Sequence, residues 1–209
     1  ADTEHEEPKA LFSRELLRIN LQIEGYKRIL TGVSLHQETQ QALPVLLKNL
    51  DHHFQIHKIA PLFLAMGYPA NLFYEDAEDF TSQFLEESLK ESGRSLINIS
   101  ILYLSVIAPL SAMSQIGREK IRKDFEEYAG GMFKSNFQEI DNITHRWVQQ
   151  EGCEAENHLI DFLKNIGVTD TWLCYQPDFQ GVYKANFPDQ GFFVGEKFDL
   201  AAIERIYGA

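Results

Sequence analysis

Between Arg94 and Arg118 the chain carries no charged side chain. Its most apolar part is Ser95-Leu96-Ile97-Asn98-Ile99-Ser100-Ile101-Leu102-Tyr103-Leu104-Ser105-Val106-Ile107-Ala108-Pro109-Leu110. Such a run leaves water either by entering a bilayer, for which about 20 apolar residues suffice, or by lying inside a bundle. Asn98, Ser100, Ser105, Pro109, Ser111, Ser114 and Gln115 dilute it, and each would forfeit its hydrogen bonds to water in lipid. The run is therefore expected as the central helix of a helical domain, bent or broken at Pro109. Conditional membrane insertion is the alternative.

The segments around it have the spacing needed to wrap such a helix. Residues 1–8 read as a polar tail. Phe12, Leu16, Ile19, Ile23, Tyr26 and Leu30 alternate steps of four and three, a heptad-like seam that predicts a helix from about Pro8 to Leu30 with Thr31-Gly32 as its stop. Ser34 and Gln37 have the spacing of a capping box, so a second helix is expected from there, carrying Leu43, Leu46, Leu50, His53 and His57 and ending at Pro61. Glu75, Asp76, Glu78 and Asp79 suit the positive end of a third helix, whose buried side would be Phe80, Phe84, Leu85 and Leu89. Two further helices are expected from Phe133, Phe137, Ile140, Thr144 and Trp147, and from Leu159, Phe162, Leu163 and Ile166 with Gly167 as cap.

From Thr171 the pattern changes. Trp172–Tyr175, Gly181–Phe187 and Gly191–Val194 are short, aromatic and separated by Pro-Asp turns, which predicts two or three antiparallel strands. Asp199 would cap a last short helix carrying Leu200, Ile203 and Ile206. The expected fold is mainly α: a multi-helix bundle around a central apolar helix, one domain over 9–209, with a small C-terminal β-hairpin at about 171–195. No repeat or low-complexity tract divides it.

The 209 residues include 31 acids and 19 bases, a net charge of -12. This field repels nucleic-acid phosphate and anionic headgroups and attracts a basic partner. It is uneven: residues 51–100 hold eight acids and three bases, and residues 151–209 ten and four. The one basic cluster, Arg118, Lys120, Arg122 and Lys123, is followed at once by Asp124, Glu126 and Glu127, as on a solvated helix face. Cys153 and Cys174 form no CxxC and are expected as two unrelated thiols. The opening Ala-Asp-Thr-Glu-His-Glu-Glu lacks the basic and apolar regions of a signal peptide. A cytoplasmic chain and an exported mature chain both fit.

Histidine is the residue type nearest to site chemistry. His52, His53 and His57 fall within six residues, and His53 and His57 share a helix face. Asp141 with His145, and Glu154 with His158, repeat the four-residue spacing. If the helices met, His53, His57, Glu154 and His158 would suit zinc or iron. Against this, no Glu-x-x-His and no His-Glu-x-x-His occurs, and histidines before a helix C-terminus also serve structure. There is no Gly-x-Ser-x-Gly, no phosphate-binding glycine loop and no EF-hand loop. The reading is a non-enzymatic, acidic protein-binding domain, of inhibitor or immunity type, that neutralises a basic partner. Its contact residues would be Glu75, Asp76, Glu78, Asp79, Tyr183 and Phe192. The alternative is a helical metal-binding protein or metalloenzyme built on the His-x-x-x-His pair.

Overall fold

Apolar spacing and glycine placement carry most of the described residues into seven α-helices and a small sheet. A computed structural model describes residues 7–73, 82–93, 95–109, 115–128, 131, 133–175 and 191–195. The helices are α1 (Glu7–Ile23), α2 (Gln37–Ala65), α3 (Ser82–Glu91), α4 (Leu96–Ile107), α5 (Gln115–Tyr128), α6 (Lys134–Gln149) and α7 (Glu156–Asn165). The strands are β1 (Ile29–Ser34), β2 (Thr171–Tyr175) and β3 (Gly191–Val194). The tetrad Glu75, Asp76, Glu78 and Asp79, the 181–187 strand with Tyr183, and the helix expected after Asp199 lie outside the described residues.

The expected bundle with a C-terminal antiparallel pair is present. β2 and β3 pair from Thr171–Val194 to Cys174–Gly191. β1 adds a third strand, giving the order β1-β2-β3, all antiparallel. This corrects the first helix, which ends at Ile23 and not at Leu30. Gly25, at φ +108°, takes a backbone conformation that favours glycine, and the chain then turns into β1. Gly32 belongs to the sheet and is no helix stop. A Cβ there would come within 2.7 Å of Leu173 Cδ2 and 2.8 Å of Leu43 Cδ2, so glycine lets α2 lie directly on β1.

The second helix also differs from expectation. Ser34 ends β1, and α2 starts at Gln37. The reach-back interaction comes from Gln40, whose Oε1 accepts from the Ser34 N–H at 2.7 Å. Pro44 and Pro61 both lie inside α2, which continues to Ala65. Pro61 is exposed, while Ile59, Ala60 and Phe63 are buried on the other side. Packing of those three offsets the missing backbone hydrogen bond, so proline does not stop this helix.

α2 buries thirteen residues and packs against α1, β1, α4 and α6. α4 is N-capped by Ser95, which accepts from the Asn98 N–H, and buries Ile99, Ser100, Tyr103, Leu104 and Val106 among α2, α3, α5 and α6. Tyr103 stacks on Phe137 at 4.5 Å, and Phe54 meets Trp147 edge-on at 5.5 Å. Among the described residues, no helix is long and apolar enough to cross a membrane.

Candidate functional site

Three places hold enough unusual chemistry or exposure to be functional: the histidine cluster of α2, a cleft between α4, α5 and α6, and the outer face of α1.

In the cluster, His53 is 2% exposed and its Nε2 lies 3.0 Å from Thr144 Oγ1 on α6. The His57 ring is 4.4 Å from it. His53 Nδ1 and His57 Nε2 are buried and meet no protein partner. Burial holds both imidazoles below the ordinary histidine range, His57 at about 4, and for His53 the neighbouring His57 and His52 add to this. His52 is also held at about 4, first by burial and then by Arg18, Arg14 and Lys48. All three rings are therefore neutral near pH 7.

The four residues expected as one metal set are not brought together. The Phe54 ring meets His53 edge-on at 5.6 Å and His158 at 6.5 Å. His158 Nε2 is 2.7 Å from Gln150 Oε1, and Glu154 is exposed. Among the described residues, no three His, Cys, Asp or Glu side chains lie close enough together to hold an ion. Phe192, expected as an outward anchor, is buried because it faces Leu173 across the β2–β3 pair. Both cysteines are free thiols, with Cys153 Sγ 3.8 Å from Glu24 Oε2.

The cleft has a volume of about 430 Å³ and is lined by Val106, Ile107, Glu119, Arg122, Asp141 and His145, among others. Tyr103 donates to both oxygens of Asp141, at 3.0 and 3.1 Å, and Arg122 pairs with the same carboxylate. Burial and Asp141 push the Tyr103 hydroxyl far above its ordinary pKa. This carboxylate is thus occupied in joining α4, α5 and α6.

α1 is arranged the other way from a usual surface helix. Phe12, Leu16, Ile19 and Ile23 are 65%, 47%, 41% and 75% exposed. The inner side carries Ala10, Ser13, Arg14 and Leu21, all buried. At 100° per residue the two sets lie on opposite sides of the helix. Ser13 Oγ donates to Tyr68 Oη at 3.1 Å, and the Arg14 guanidinium, taken out of water, donates from Nη1 to the Phe73 carbonyl at 2.8 Å and from Nε to Glu15 Oε1 at 3.2 Å. At its end, Tyr26 Oη donates to Asp51 Oδ1 at 3.1 Å, while Gln55 and Arg28 hold Oδ2.

The heptad-like seam was visible in the sequence as the clearest helical signal. Its outward direction was not, although Ala10, Leu17 and Leu21 already formed a second apolar line on the same helix. Arg14 as a buried anchor had no sequence signal beyond its place on that second line. Compared with known proteins, the chain matches no family model, no curated protein and no solved structure.

Proposed function

We propose that the protein is a non-enzymatic protein-binding domain whose outer α1 face docks a helix of its partner. The observation that carries this reading is the exposure of Phe12, Leu16, Ile19 and Ile23 on a helix that turns Arg14 inward. Apolar surface gathered into one line has a cost in water that scattered apolar residues do not, and such lines mark interaction sites. The alternating steps of four and three are those by which one helix receives the knobs of another. α1 is also the wrong place for a purely electrostatic contact. Glu7 and Glu15 stand against Lys9, Arg14 and Arg18, a net of +1 in a chain of -12.

A benzophenone side chain placed at Ile19 tests this in extracts of the native source. The expected result is one discrete protein adduct that disappears when Leu16→Glu is added and that is absent when the probe stands at exposed Asn142. An adduct that survives Leu16→Glu, or the same pattern from Asn142, overturns the reading.

A further inference from the structure

We infer that the partner helix on this face is α1 of a second copy, laid antiparallel across a two-fold axis. The inference rests on the protein-binding reading above and deepens it. The steps along the seam are four, three, four, from Phe12 to Leu16, Ile19 and Ile23. That pattern is the same read in either direction. In an antiparallel pair centred between Leu17 and Arg18, Phe12 meets Ile23 of the second copy and Leu16 meets Ile19. Every exposed seam residue then has an apolar partner, and none is left in water. Closed symmetric dimers need this kind of self-complementary patch, in which residue i meets j and j meets i.

Charge points the same way. Two copies of net charge -12 repel each other over most of their surfaces. The residues flanking the seam, Lys9, Glu15, Asn20 and Gln22, hold two charges of opposite sign, and Glu15 Oε1 is already paired with Arg18 Nη1 at 2.6 Å. The α1 face is therefore a place where two copies can approach with little like-charge contact. The inner side of α1 is fastened to the body by Ser13 and Arg14, and the turn after it by Tyr26, so the helix presents the seam without having to leave its own fold. Four side chains per copy make a small interface, below the roughly 800 Å² per partner of standard complexes. The dimer is accordingly weak and concentration-dependent.

Sedimentation equilibrium of the full chain, from micromolar to near-millimolar concentration, reads this directly. The expected result is a reversible monomer–dimer exchange whose dissociation constant rises at least about tenfold in Leu16→Glu. The urea midpoint of Leu16→Glu, measured at micromolar concentration, should equal that of the parent. In a Cys174→Ser background, mixing Phe12→Cys with Ile23→Cys chains should give the mixed disulfide dimer in excess over either homodimer. A monomer at every concentration overturns the inference, and so does a dimer indifferent to Leu16→Glu. Preferential Phe12→Cys homodimers overturn the antiparallel arrangement. A chain that stays monomeric while the Ile19 probe captures a different protein removes the second copy and leaves the protein-binding reading standing. Loss of both signals removes the two together.

Discussion

α1 and α2 lie side by side, both carry apolar residues at helical spacing, and they use them in opposite ways. α2 turns Leu43, Leu46, Leu50, Phe54 and Phe63 into the core. α1 turns Phe12, Leu16, Ile19 and Ile23 away from it. The difference teaches that periodicity reports the existence of an apolar face and says nothing of what covers it. α2 has a sheet and three helices around it. α1 has one packed side, which Ala10, Ser13, Arg14 and Leu21 already fill.

The sharpest way to break this contrast is to shorten one residue on each helix. Phe54→Ala should cost about 3–5 kcal/mol in urea unfolding, because Phe54 is almost completely buried against Trp147 and two histidine rings. A loss below about 1 kcal/mol would mean that α2 is not the packed member of the pair.

Acid acts on α2 and its contact with α1. His52 and His57 titrate at about 4 when folded and near 6.5 when unfolded. Between those values the unfolded chain holds more protons, so stability rises with pH across the interval. The contribution is complete above about pH 6.5 and is lost as pH falls toward 4, at on the order of 2–3 kcal/mol for each ring. His53, also depressed, adds in the same direction. Urea midpoints at pH 7 and pH 5 should differ clearly, and His57→Gln should flatten the slope. An unchanged midpoint would contradict buried neutral imidazoles.

Gly32→Ala asks how closely α2 and the sheet touch. The added methyl would press on Leu43 and Leu173, and a loss of about 1–3 kcal/mol is expected. A neutral result by thermal or urea melting would show slack between α2 and β1. The smallest effect belongs to α1: Ile19→Ser should shift the stability of the dilute monomer by no more than about 0.5 kcal/mol. A large loss there would place Ile19 in a core and end the comparison.

Much of the fold was legible. Phe137, Ile140, Thr144 and Trp147 marked α6, Leu159, Phe162 and Leu163 marked α7, and the aromatic runs marked β2 and β3. These segments have a single apolar face and clear end signals, so local pattern and packing agree. Spacing alone makes Ile29 and Leu30 helical, because the seam runs on through Tyr26 and Leu30 in helical register, whereas Ile29–Ser34 is β1. Only pairing with β2 makes that segment a strand, and the partner lies more than a hundred residues away. Pro61 misled for a related reason, since buried neighbours on the opposite side keep α2 helical. Of the candidate site, the His53–His57 contact followed from spacing alone. The place of His158 did not, because its neighbours Phe54, Trp147 and Gln150 come from α2 and the end of α6.

By itself the sequence settled the helical class, the net acidic charge, the C-terminal strands and the presence of an apolar line along the first helix. Those are properties of spacing, charge and turn residues within a few positions of one another. Tertiary structure decided that the line faces outward, that β1 completes the sheet and that the histidines are buried apart from Glu154 and His158. Each of these depends on which surface arrives to cover a segment, and the covering surface comes from distant parts of the chain.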